Sequence, residues 1–450
     1  MKKKLLLTLA LGFAGALSLV AGTDVYLTGS TAFRANCYEA SKKLFSGGTP
    51  TIYYGNAAHG GADSEWNSST ASWAMTGTPI TGLTNIGVNL TIHGLFTGSI
   101  QGMKTVEQSS MLVFPNANGT PNGLCSTYCT NTSTIAFSDA SGESTPYPAT
   151  GNYIEEQVAV LPFVFTKSAA TVGAVTNINN ITWEQLEYGI PQGRISLATW
   201  TAKVKDTNTF VYLMQGTKAF GTRRCETAGE YYQYNDTVGV YIYDYTNNFF
   251  YTPTQLAATA YGASPNGVVG VAGLNNANLY WGYGYASGGA IVNTLNNNNA
   301  ANQAIAYLSI SDAKGVGSAN WNNVISYNGL WPTTAGAGIH GNTGTNDYSP
   351  ITLGYYPCWG LEVLVHPIDP SLVPGQNITK FQLGDWTTPG TFLGVFNAQT
   401  VINGGSPLVG SIENEIELSK SVAPGATAIR LSDMFNSRAS VGGTISPPFN

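Results

Sequence analysis

Val25-Tyr-Leu-Thr-Gly-Ser-Thr-Ala-Phe33 is the stretch around which the rest of the chain is organised. Its first three residues predict a short buried strand that ends at Gly29. Apolar residues from Phe33 to Leu44 then predict a helix, which Ser30 or Thr31 would cap through its hydroxyl. Such a turn presents free backbone N–H groups and the positive end of a helix dipole, which suit an anion. Taken alone, the stretch fits an ordinary strand–helix connection better.

The composition excludes several classes of partner. Only 10% of the 450 residues are Asp, Glu, Lys or Arg, against about a quarter in a typical domain. The net charge of -6 argues against nucleic acid, which needs a basic face, and against an anionic membrane surface. The length allows two or three domains with a full core.

The first 22 residues have the pattern of a secretory signal peptide. Three lysines after Met1 precede an apolar run from Leu5 to Val20, and small residues follow up to Gly22. We therefore expect a periplasmic, extracellular or cell-surface protein with no membrane span after cleavage. A retained membrane anchor is the alternative, because the apolar run is marginally long enough to span.

Five cysteines suit an oxidising compartment. Cys125 and Cys129 lie in one Gly/Asn/Thr-rich loop, and a local disulfide between them is the favoured pairing. Zinc is the alternative, although no second pair or nearby histidine completes four ligands.

Further strand-to-helix connections follow along the chain. Val88–Ile92 alternates apolar and polar residues as a strand does, and Thr209–Met214 is predicted as another strand. Each runs into a loop of small residues. Glu156–Thr166 is the longest apolar run typical of a strand. Strands alternating with helices predict an α/β protein with parallel or mixed sheets.

Taken together, these loops resemble those of the type 2 periplasmic binding protein superfamily, nearest the phosphate-binding proteins of ABC transporters. The resemblance covers roughly residues 24–370 and lies in the order of its motifs. These motifs are Thr28-Gly-Ser-Thr-Ala-Phe33, Thr97-Gly-Ser-Ile-Gln-Gly-Met-Lys104, Phe137-Ser-Asp-Ala140, Glu156–Thr166, Ile181-Thr-Trp-Glu-Gln-Leu186, Gly221-Thr222-Arg223, Ala304-Ile-Ala-Tyr-Leu308 and Tyr356-Pro-Cys358.

The resemblance implies a two-lobed α/β fold with mixed sheets, joined by two hinge crossings, with Gly/Asn/Tyr-rich insertions. After the signal peptide (1–22), lobe 1 would take 23–155, lobe 2 would take 156–345, and 346–450 would return to lobe 1 and form a C-terminal extension.

The resemblance also implies a site that holds an oxyanion almost without cations. Hydroxyls and loop N–H groups would donate, and an aspartate would accept from a protonated ligand oxygen. The residues carried over are Thr31, Ala32, Phe33, Ser99, Asp139, Gly221 and Thr222.

The third loop departs from the family pattern. Gly216 stands at the family's arginine position, and Phe220 replaces a serine. Lys218 or Arg223 would then supply the missing charge, and the identity of the anion stays open.

The sequence has none of the common enzyme motifs: it has no Gly-x-Ser-x-Gly elbow, no His-Glu-x-x-His helix and no Walker loop. A carboxylate pair at distant positions stays open. We expect neither a cofactor nor a metal, and interpret the four scattered histidines as structural.

The expected function is an exported solute-binding protein that captures a small, phosphate-like oxyanion, with an ABC transporter permease as possible partner. One alternative is a secreted or surface structural protein that keeps the fold and binds no ligand. Another is a carbohydrate-binding protein that uses its tyrosine-rich segments.

Overall fold

The computed structural model describes the chain in several separate ranges. The described residues are 22–55, 71–83, 85–139, 141–142, 151–169, 177–186, 194–207, 210–214, 243–244, 249–250, 292, 295–296, 304–317, 323–334, 347–397, 411–420, 428–438 and 445–446. The predicted signal peptide, up to Ala21, lies outside them.

The described strands are short, apart from two. They are β1 (Thr23–Gly29), β2 (Thr51–Tyr54), β3 (Ser72–Gly77), β4 (Leu90–Leu95), β5 (Leu112–Pro115), β6 (Gly123–Leu124), β7 (Tyr128–Asn131), β8 (Ile135–Ser138), β9 (Tyr153–Lys167), β10 (Asn180–Ile181), β11 (Arg194–Ser196), β12 (Phe210–Met214), β13 (Tyr243–Asp244), β14 (Phe249–Phe250), β15 (Ala304–Ser309), β16 (Val324–Tyr327), β17 (Trp359–Pro367), β18 (Ser437–Arg438) and β19 (Ile445–Ser446).

Helices are fewer. They are α1 (Arg34–Lys43), α2 (Ser99–Gln108), α3 (Ala198–Thr201), α4 (Ile310–Ala313), α5 (Ser349–Thr352), α6 (Lys380–Leu383), α7 (Phe392–Phe396) and α8 (Ile412–Lys420). Short 3-10 turns cover Ser46–Gly48, Val204–Asp206, Pro370–Leu372 and Leu431–Asp433.

One mixed sheet organises these elements, in the order β11-β12-β15-β9-β17-β8-β1-β4-β3-β2-β6. β1 runs parallel to both β4 and β8, and β12 runs parallel to β15. The mixed α/β class predicted from the sequence is therefore confirmed.

Two long strands connect the two halves of this sheet. β9 pairs with β17 through Tyr153–Pro162 and with β15 through Phe163–Lys167. β17 in turn pairs with β8. The strand predicted at Glu156–Thr166 thus passes from one parallel group to the other, as the first of the two crossings would. The predicted lobe boundaries stay predictions.

The core continues through both halves. Apolar side chains of β1, α1, β9, β15 and β17 form one buried cluster, which includes Phe33, Phe137 and Phe163. A smaller cluster, with Met103 and Val365 among its members, lies between α2 and the sheet. Burial at about 25 cal/mol per Å² of apolar surface is the main stabilising term.

The C-terminal segment packs against the first strands. The Gln382 side chain donates to the Thr23 hydroxyl at 3.2 Å, and Asn377 donates to Asp24 at 2.9 Å. Phe396 of α7 contacts Phe137 edge to face, with ring centroids 6.2 Å apart. Within the described residues, no helix is long and apolar enough to cross a membrane.

Candidate functional site

The candidate site lies where three parallel strands end. β1 is flanked by β4 and β8, so the turns that follow these strands meet at one edge of the sheet. In open α/β sheets, this carboxyl edge is where ligands bind. The predicted first and second loops and the Ser-Asp turn all lie there.

Two glycines allow these turns to approach one another. Gly29 has φ +121°, and a Cβ at this position would lie 1.9 Å from the Phe137 carbonyl oxygen. A Cβ on Gly102 of α2 would lie 2.8 Å from the Gly29 Cα. Glycine is needed at both positions, because a side chain would separate α2 and β8 from the end of β1.

Asp139 is the centre of the polar contacts. The Ser99 hydroxyl, at the first residue of α2, donates to Asp139 Oδ1 at 2.5 Å, and the Asp139 amide donates back to Ser99 Oγ at 3.2 Å. The Ser30 hydroxyl donates to Asp139 Oδ2 at 3.5 Å. These contacts join all three turns, although Ser99 and Asp139 are 40 residues apart in the chain.

Burial controls the charge of this group. Asp139 is only 3% exposed. Burial raises the pKa of its carboxyl to about 6, against the hydrogen bonds from Ser99 and Ser30, which favour the charged form. A negative charge on Asp312 raises the same pKa further. Asp139 is therefore ionised at neutral pH, although its pKa of about 6 lies close to neutral pH.

A second buried carboxyl, Glu362 of β17, lies beside Asp139. Val363 is paired with Ser138 of β8, so Glu362 and Asp139 are the next residues along this ladder. Glu362 is 0% exposed, and burial together with the Asp139 charge raises its pKa well above the ordinary value. The sequence reasoning missed this residue, although a lone acid in the apolar run Trp359–Val365 was a usable signal.

Helix α4, which directly follows β15, contacts the first loop. The Ser311 hydroxyl donates to the Ala32 carbonyl at 3.4 Å, across 279 positions of sequence. Ser309 accepts a hydrogen bond from the Asp312 amide and caps α4. The first loop and α4 are thus in contact.

The remaining first-loop residues are buried. Thr31 and Ala32 are 7% and 6% exposed. Phe33 is fully buried against Phe137, with ring centroids 5.9 Å apart. The capping prediction for Ser30 or Thr31 is wrong: Phe33 occupies the N-cap of α1, without a side-chain cap. The Ser30 hydroxyl instead donates to Asp139, which follows the neighbouring strand β8.

Four predicted ligand-binding residues, Lys218, Gly221, Thr222 and Arg223, lie outside the described residues. Their contribution from the second lobe stays a prediction. The tyrosine-rich segments proposed for carbohydrate binding also lie largely outside them.

The predicted disulfide between Cys125 and Cys129 is not formed in the structure, where both cysteines are free thiols. The two residues belong to different pairings. The Cys125 amide donates to the Tyr54 carbonyl at the edge of the main sheet, whereas Cys129 pairs with Phe114 in a separate two-stranded sheet. Burial raises the pKa of both thiols.

Two histidines, His93 and His366, lie within the described residues. His93 stacks on Tyr26 with ring centroids 4.5 Å apart, and its Nδ1 lies 2.7 Å from the Pro115 carbonyl oxygen. His59 and His340 lie outside the described residues. Within the described ranges, no group of three or more His, Cys, Asp and Glu side chains could hold a metal.

No family model and no curated protein matches the chain. Solved structures do match, phosphate-binding proteins among them. PstS from Borrelia burgdorferi is 12% identical over 76% of this chain and 87% of its own, with a TM-score of 0.31. A phosphate-binding protein from Stenotrophomonas maltophilia is 14% identical over 77% and 79%, with a TM-score of 0.32.

A third structure is the high-affinity periplasmic phosphate-binding protein PfluDING, solved with phosphate bound at pH 8.5. It is 11% identical over 95% of this chain and all of its own, with a TM-score of 0.38. Because each TM-score lies below 0.5, these likenesses say nothing about which ligand this chain binds.

Proposed function

We propose that this chain is an exported binding protein that captures a small, phosphate-like oxyanion between two lobes, without catalysing a reaction. The lobes would take residues 23–155 and 156–345, and 346–450 would return to the first lobe. A transporter permease would then receive the ligand.

The observation that carries this proposal is the meeting of Ser30, Ser99 and Asp139 at the carboxyl edge of three parallel strands. An ionised carboxylate only accepts hydrogen bonds, so a ligand beside Asp139 must bring a hydrogen-bond donor. A protonated oxyanion does so, and its other oxygens accept from hydroxyls and backbone N–H groups.

The start of α2 supports the same ligand class. α2 is a ten-residue helix with no side chain capping it, and Gly98 precedes it. Its first amides therefore have no capping side chain, and the positive end of the helix dipole favours an anion there.

A thermal-shift titration with inorganic phosphate tests the proposal. A ligand at one hundred times its Kd stabilises the folded state by about 2.7 kcal/mol, so the melting temperature should rise with phosphate. Asp139→Ala and Ser99→Ala should abolish this rise.

Matched controls are available on the surface. Ser371 donates to Asp369 at 2.6 Å in an exposed pair, so Ser371→Ala and Asp369→Ala should keep the full phosphate shift. If the wild-type melting temperature responds to no small oxyanion, the proposed ligand class is wrong.

One observation favours the second candidate, a structural protein that binds no ligand. The hydroxyls of Ser30 and Ser99 both donate to Asp139, so their protons are already used within the protein. Sedimentation velocity separates the candidates: concentration-dependent self-association without any phosphate effect would support the structural protein.

A further inference from the structure

Glu362 is a buried acid that the proposed ligand contacts do not use. Among the described residues, it is the acidic side chain with the least exposure, at 0%. Neither Oε1 nor Oε2 has a hydrogen-bond partner within the described part of the chain. A buried, unpaired carboxylate is strongly disfavoured, so Glu362 holds a proton and is neutral.

The pairing of β17 with β8 brings the Glu362 carboxyl close to the site. Glu362 is adjacent to Val363, which pairs with Ser138 just before Asp139. A register shift between Glu362 and Val363 on the β9 side marks an irregularity of the kind that redirects a side chain. The Ser30 hydroxyl lies close enough to affect the pKa of Glu362, and it donates to Asp139.

Among the described groups that face Glu362, Asp139 is the one that carries a charge. α1 contributes the Cys37 thiol, whose pKa is raised by burial. β9 places Ala159 opposite Glu362.

More distant charges have other partners. Arg34 favours the charged form of Asp312. Glu413 of α8 accepts hydrogen bonds from Ser432, and Glu415 interacts with the lysines at the end of α1.

We infer that Glu362 is a proton-holding residue at the base of the oxyanion site, and that the site accepts an anion only while this carboxyl is protonated beside the ionised Asp139. The inference rests on the proposed function for its ligand. Loss of the Glu362 proton to solvent would place two negative charges side by side, and these would repel an anionic ligand. Conversely, a bound anion makes Glu362 hold its proton more tightly.

Isothermal titration of phosphate over a pH series tests this linkage. Above the pH at which Glu362 ionises, the wild-type affinity should fall by up to tenfold per pH unit relative to Glu362→Gln, which cannot ionise. The ratio of the two affinities cancels the titration of phosphate itself. Glu156→Gln is the control, because it removes a partly buried carboxyl from β9, opposite Leu364, and should follow the wild type.

The protonation of Glu362 can be measured without a ligand. At neutral pH, the infrared spectrum of the wild type should contain the carbonyl stretch of a protonated carboxylic acid, and Glu362→Gln should lack it. If Glu362→Gln does not fold, a pH titration of this band in the wild type, and the protons exchanged when phosphate binds in different buffers, give the same information.

The outcomes separate the two proposals. Phosphate binding with parallel pH profiles for wild type and Glu362→Gln would overturn the role of Glu362 and leave the proposed function standing. No phosphate binding at any pH would overturn the proposed function and the linkage together. A missing infrared band would show that Glu362 is not the proton carrier.

Discussion

Removing the buried carboxyl of Asp139 should change how the stability of the protein depends on pH. Burial raises the pKa of this group from 3.8 to about 6 in the folded state. Each pKa unit is worth about 1.4 kcal/mol of free energy, so the difference amounts to about 3 kcal/mol.

The sign follows from proton binding. The folded state binds this proton more tightly than the unfolded state, so the contribution is fully present below pH 3.8. It is lost as the pH rises to about 6. The free energy of unfolding should therefore decline over this window in the wild type, and decline less in Asp139→Asn. Glu362 adds to the decline, because its pKa is also raised.

Urea denaturation across this pH window measures the effect, with tryptophan fluorescence and circular dichroism followed together to establish a single transition. Asp369→Asn is the control: hydrogen bonds from Ser371 lower the pKa of Asp369, so its contribution has the opposite sign. Parallel profiles for the wild type and Asp139→Asn would refute the assignment of a raised pKa to Asp139.

Three further predictions concern contacts at the site and the state of the cysteines. Ser99→Ala should lower the free energy of unfolding by about 1.5–3 kcal/mol, the range for a hydrogen bond to a charged group, and a loss near zero in urea denaturation would contradict the contact with Asp139. Gly29→Ala should be far more destabilising than Gly82→Ala, because both glycines have positive φ but only the first would clash; equal melting temperatures would contradict the packing at the end of β1. Alkylation of the unreduced, denatured chain should label both cysteines of the 125–129 loop, and a mass showing a bond between them would restore the disulfide.

Much of the local structure at the end of β1 could be predicted from the sequence. The apolar residues on both sides of the turn at Gly29 predicted β1 and α1, and the resemblance in motif order placed Ser99 and Asp139 in one site. Short-range patterns of this kind are local, so they can be predicted without knowing the register of the sheet.

The features that sequence reasoning missed depend on pairing between distant strands. Glu362 reaches Asp139 only because β17 pairs with β8, with an irregularity on its β9 side. Ser30 does not cap α1, because its hydroxyl is directed to Asp139, 109 residues away. Cys125 and Cys129 are close in sequence, but sheet pairing separates them.

Equilibrium dialysis of the wild-type chain against labelled inorganic phosphate at neutral pH tests the central claim most directly. The geometry at Asp139 predicts saturable binding of one phosphate per chain, lost in Asp139→Ala and kept in Asp369→Ala. Binding that is absent, or that is equal in all three proteins, would contradict it.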